Sequence, residues 1–122
     1  MTECTYPFTK FDTDFFLVNG NKDQEVFKKD QTCLISSILA CSQNEEAIFL
    51  NMYIQETLES GEKNMVPLGT KIAFLPFETR ELIPCSVLNI TPEIALFAYT
   101  NGPLNLVSLA LAYRKLYNQT SG

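Results

Sequence analysis

Apolar residues along this chain alternate with polar ones or gather in short runs that stop at turn residues. A period of two marks strands rather than helices. The alternation predicts strands near residues 14–18, 25–28, 32–41, 47–55, 68–75, 82–88, 93–100 and 104–112. The breaks have their own chemistry. Asn19-Gly20 and Asn101-Gly102-Pro103 supply the positive-φ residues of tight turns. Residues 42–46 and 59–64 are polar loops, and Pro67, Pro76, Pro84 and Pro92 fall near strand ends, where a missing ladder donor costs least. Eight short strands at this spacing predict an all-β sandwich or small barrel. Two stretches also fit helices: 104–117, which has good helix formers and no Gly or Pro, and 47–57.

Several strands are apolar on both faces. Ala47, Phe49, Asn51 and Tyr53 oppose Ile48, Leu50, Met52 and Ile54, and Ala95, Phe97 and Tyr99 oppose Ile94, Leu96 and Ala98. Leu104 and Leu106 oppose Val107, Leu109 and Leu111. An antiparallel sandwich keeps one face of each strand wet, and one small core cannot cover both. A neighbouring copy is the economical cover. The expected subunit interface is therefore Phe49, Tyr53, Phe97, Tyr99, Leu109 and Leu111.

Length and composition narrow the class. The chain has 122 residues, 46% hydrophobic and 19% charged, as a single globular domain would. Histidine is absent, which removes the commonest general base and zinc ligand. No phosphate-binding glycine loop or nucleophile elbow occurs. Asp12-Thr13-Asp14 lacks the distal acid of a calcium loop. The expectation is a protein that is not an enzyme and has no cofactor or metal. Net charge is −5, carried by the first half: residues 1–61 hold 4 basic and 10 acidic side chains. That balance disfavours direct nucleic-acid binding and attracts basic partners. Only Lys10 accompanies Phe8, Phe11, Phe15 and Phe16, so those rings are expected to pack in the core or dock on a neighbour rather than stack bases. The first 16 residues hold no apolar run of the secretory kind, and the longest apolar run, 94–99, is far short of a membrane span. A soluble intracellular protein with reduced cysteines is expected. Cys33 and Cys41 share one predicted strand, roughly 26 Å apart and beyond disulfide reach.

With the strands placed, the chain resembles the nucleoplasmin-like family. Residues 14–18 followed by Asn19-Gly20 look like its opening strand and turn, and 32–41 like its long apolar strand before a small polar loop, here 42–46. Pro67-Leu68-Gly69-Thr70 is similar to a later strand of the family. The fullest match is Thr91-Pro92-Glu93-Ile94-Ala95-Leu96 followed by Asn101-Gly102-Pro103-Leu104-Asn105-Leu106. The resemblance covers residues 14–112 and implies an eight-stranded jelly roll assembled as a ring-shaped homopentamer, with stacked decamers as the larger form. It also implies a nuclear histone chaperone. The chain departs from the family in four places: Lys28-Lys29-Asp30-Gln31 replaces an early acidic tract, the tail from Arg114 to Thr120 has no acid, the turn Thr100-Asn101-Gly102-Pro103 is about one residue shorter and lacks the first glycine, and Leu109 follows Ser108 where the family usually has glycine. Residues 1–13 then form an arm, 14–113 the core domain and 114–122 a tail.

The implied function is shielding of core histones or other basic proteins by acidic loops. The candidate residues are Glu45 and Glu46 in one loop and Glu56, Glu59 and Glu62 in another, multiplied around a ring. Exposed ion pairs contribute only ~0–1 kcal/mol each, so no single Glu decides binding. The alternative is a multimeric scaffold that organises protein partners without histones.

Overall fold

The period-two alternation becomes nine strands among the residues that the computed structural model describes, 11–84 and 86–116. They are β1 (Asp12–Asn19), β2 (Gln24–Phe27), β3 (Cys33–Ser42), β4 (Ile48–Thr57), β5 (Lys63–Phe74), β6 (Thr79–Glu81), β7 (Leu88–Ile90), β8 (Ile94–Thr100) and β9 (Leu106–Lys115). All pairings are antiparallel, in two sheets. One runs β1-β9-β3-β6, with β7 also on β3, and the other runs β2-β8-β4-β5. The chain crosses repeatedly between the sheets, which is the strand order of a jelly-roll-like sandwich.

The helix alternatives fail for a simple reason. β9 is bonded to β1 on one side and β3 on the other, and β4 to β5 and β8. Pairing on both edges satisfies backbone groups that a helix would have satisfied internally. Both strands therefore follow tertiary context over helix propensity.

The predicted strand at 82–88 is inverted: its middle is a break and its flanks pair. β6 lies against residues 39–41 of β3 and β7 against 33–35, so the two form one edge strand interrupted at 82–87. Glu81 drives the interruption. Its carboxylate accepts the Ile38 amide at 2.9 Å, the Ile83 amide at 3.2 Å and the Ser37 hydroxyl at 2.5 Å. The Leu82 amide donates to the Ile38 carbonyl. Ile83 then turns into the core at 5% exposure, and Pro84 has no amide with which to resume the ladder.

The core lies between the sheets. Val18, Ile35, Ile38, Leu50, Leu96 and Val107 are fully buried there. Leu109 and Leu111, expected at a subunit interface, are 1% and 0% exposed and belong to this same core. Sequence alternation separates the two faces of β9 correctly; the inward face is the one carrying Val107, Leu109, Leu111 and Tyr113. Its outward face carries Ser108, Ala110 and Ala112.

Hydrogen-bonded polar groups close one end of the sandwich. Thr100 donates its hydroxyl to the Gly20 carbonyl at 3.0 Å. The Asn44 side chain brackets Leu106, donating to its carbonyl at 2.8 Å and accepting its amide at 2.9 Å. Gly20 has φ of +90°, and a Cβ there would meet the Pro103 carbonyl oxygen at 3.1 Å, so glycine is required. At the other end Lys29 pairs with Asp14 at 2.8 Å and lies over the rings of Phe27 and Tyr113. Cys33 is buried on β3 and Cys41 half-buried at its far end, both as free thiols. Cys4 and Cys85 lie outside the described residues.

Candidate functional site

Acidic side chains are held at both ends of the molecule. Glu45 and Glu46 are exposed in the loop that Asn44 anchors, before β4 begins. Glu59 and Glu62 are exposed on the turn after β4, closed by the Leu58 amide to the Glu62 carbonyl and by Gly61 at φ +92°. Glu56 is half-buried on β4 itself, opposite Asn64 and Ile94. The ten residues of β4 span about 30 Å. The two clusters therefore do not converge on one rim. Lys63 borders the second cluster, donating to the Thr57 hydroxyl at 3.3 Å, which dilutes its charge.

The aromatic residues of the expected interface do share a surface. Phe49, Tyr53, Phe97 and Tyr99 all face outward from the four-stranded sheet, with Tyr53 opposite Phe97 and Asn51 opposite Tyr99 in register. Tyr53 and Phe97 stack with centroids 5.3 Å apart and planes within 7°. Tyr53 is only 9% exposed. Its hydroxyl donates to Asp23 at 2.8 Å. Burial first, then that hydrogen bond and the Asp23 charge, push the phenol up to about 12. Beside this stack lies an open groove of about 250 Å³, lined by Asp23, Asn51, Tyr53, Met65, Pro67 and Tyr99 among others. Asn51 is fixed in place because its oxygen accepts the Lys71 amide at 2.8 Å. Lys71 sits at φ +51°, where β5 bulges against β4.

A second apolar surface covers the outer face of the five-stranded sheet. Phe15 is 80% exposed, Leu17 48% and Leu39 44%. They form rows: Phe15, Ala110 and Leu39 lie side by side across β1, β9 and β3, and Leu17, Ser108 and Cys41 form the next row. The central strand contributes small residues between larger ones, so the face has a shallow trough. Phe11, also exposed, joins Leu34, Val87 and Arg114 around a hollow of about 210 Å³ near its end. Phe16 alternates to the other side and packs against the core.

Leu39 and Leu17 were legible only as apolar members of strands, since their outward parity needs the sandwich to define it. Asp23 and Asn51 carried no sequence signal beyond being polar residues near aromatic ones. The small outward row Ser108, Ala110, Ala112 was a usable signal: it marks the face that does not fill a core. Among the described residues there is no group of three or more His, Cys, Asp or Glu placed to hold a metal, and no helix long and apolar enough to cross a membrane. The described residues present two apolar sheet faces, one with an acid-edged aromatic groove.

This combination defines a two-sheet, jelly-roll-like β-sandwich with outward-facing apolar surfaces. No protein-family model matches the chain, and no curated protein matches it. Solved structures align with the chain at low identity. The Clostridium thermocellum endo-1,4-beta-D-xylanase 10B CBM22-1–GH10 modules complexed with xylohexaose align with 90% of this chain and 27% of that one, at 12% identity and a TM-score of 0.48. Infectious bursal disease virus, Gt strain, aligns with 92% of this chain and 39% of that one, at 10% identity and a TM-score of 0.46. The extra small virus of the giant freshwater prawn Macrobrachium rosenbergii, as a virus-like particle, covers 96% and 86% at 8% identity and a TM-score of 0.33. This chain thus spans about a quarter of the xylanase chain and about two fifths of the bursal virus chain.

Proposed function

We propose that this protein is a self-associating β-sandwich scaffold, joined through the outer face of the β1-β9-β3 sheet. The observation that supports it is Phe15: a large apolar side chain, 80% exposed, on an edge strand and in line with Ala110 and Leu39. Fully burying such a side chain gains about 1.5–3 kcal/mol. The five-fold ring is the assembly that the resemblance suggests. The histone-chaperone reading stands second, favoured by the exposed Glu45, Glu46, Glu59 and Glu62 and by the net charge of −5. The placement of those acids at opposite ends of β4 supports the scaffold over a single acidic rim.

The test is absolute mass by light scattering after size exclusion. A ring of five 13.8 kDa chains has a mass of about 69 kDa, and Phe15→Glu should reduce it to one chain while the circular dichroism stays that of folded β-structure. Wild-type protein running as a monomer at all workable concentrations overturns the scaffold. An oligomer untouched by Phe15→Glu and by Leu39→Glu places the contact elsewhere and overturns this face as its seat.

A further inference from the structure

We propose that the groove on the outer face of the four-stranded sheet binds the side chain of an arginine in a basic peptide. The surface is on the opposite sheet from the proposed self-association face, so the inference does not rest on that reading.

Size comes first. A groove of about 250 Å³ is below the usual range for cofactors and drug-sized ligands and suits one extended side chain. Its walls are apolar where an aliphatic stem would lie, from Met65 and Pro67 on β5 to the Tyr53 and Tyr99 rings in the middle of the sheet. Arginine presents such a stem and a flat head that stacks on aromatic rings.

Charge then selects the sign. Asp23 is the ionisable side chain with a carboxylate on the lining, and Glu25, in register with Phe97, sets a second carboxylate beside the aromatic platform. No Lys or Arg side chain is among the lining residues. Asp23 uses Oδ2 to accept the Tyr53 hydroxyl, which orients the carboxylate and leaves Oδ1 to accept from an incoming guanidinium. The Tyr53 phenol is held protonated, so it serves as a neutral donor that fixes Asp23. A cation held between the Asp23 carboxylate and the half-buried Tyr99 ring is favoured by both. Asn51, fixed through its oxygen by the Lys71 amide, keeps its amide nitrogen for a carbonyl of the peptide backbone. A lysine head would find the same charge but no planar match, and a neutral planar side chain would find the shape without the charge.

The experiment is a backbone amide NMR titration of the whole chain with three blocked amino acids: N-acetyl-arginine amide, the lysine equivalent, and the neutral isostere citrulline. Arginine should give saturable shifts at Asp23, Asn51, Tyr53 and Tyr99, lysine weaker ones, and citrulline none. Asp23→Asn and Tyr99→Ala should each weaken the arginine response about tenfold or more, while Asp30→Asn, an exposed acid off the groove, leaves it unchanged. If Asp23→Asn loses the folded spectrum, Tyr99→Ala and the citrulline control carry the decision. The titration is repeated in the Phe15→Glu variant, so failure of the assembly and failure of the groove are separable. Equal shifts with citrulline, shifts confined to the loops of Glu45–Glu46 or Glu59–Glu62, or no saturable response overturn the proposal.

Discussion

Glu81 does the work of a missing stretch of strand. Burial alone would raise its pKa, but the Ser37 hydroxyl and the amides of Ile38, Ile83 and Leu82 outweigh burial and hold the carboxyl below its ordinary value of 4.5. A depressed folded-state pKa means that the stabilisation is present above the ordinary value and is lost as pH falls through the lower one. Glu81→Ala should cost about 1–3 kcal/mol near neutrality, because it strands buried amides. Chemical denaturation at neutral and at acid pH checks this: the gap between wild type and variant should close once the carboxyl is protonated. Leu109 gives a second residue-scale test. As a core side chain it should cost about 2–5 kcal/mol when cut to Ala, with the oligomeric mass unchanged wherever the variant is folded. A change of mass without loss of stability would return it to an interface.

At the scale of elements, the strand pattern was mostly local and therefore mostly readable. β1, β2, β3, β4, β8 and β9 all fall on predicted strands, within a few residues at each end. Two elements were not readable. The strand expected at 82–88 depends on a carboxylate from Glu81 reaching β3, a contact across more than 40 residues of chain. β5 begins earlier than its pattern suggests because its start pairs with the end of β4, and it tolerates Pro67 because it is an edge strand of its sheet. Replacing Gly20 by Ala should destabilise the β1–β2 turn by about 1 kcal/mol or more, since φ is +90° and a Cβ would crowd the Pro103 carbonyl oxygen at 3.1 Å. Thermal unfolding checks it, and an unchanged midpoint would mean the turn relaxes freely.

For the whole molecule the question is what the two apolar faces and the two acid clusters do together. Salt separates them. Apolar contact persists at high ionic strength, whereas contacts made by Glu45, Glu46, Glu59 and Glu62 with a basic protein are screened over a Debye length of about 10 Å at 0.1 M salt. The expected outcome is a mass that holds from low to high salt, with any histone association collapsing over the same range. A mass that falls with salt would make the assembly electrostatic and move its seat from Phe15 to the loops. The charge balance was legible from composition, and the predicted loops at 42–46 and 59–64, on either side of the predicted strand 47–55, already separated the two clusters.

Most strands, the tight turns and the residues that share a face can be read from the sequence alone. Each of these follows from the parity of side chains along an extended backbone and from turn residues that act within a few positions. Which face of β9 turns inward, where the edge strand breaks between β6 and β7, and the meeting of Asp23 with Tyr53 beside a groove come from long-range contacts. Those outcomes depend on what another element lays over a strand. A strand apolar on both faces, as β4 and β8 nearly are, does not record locally which side will be covered.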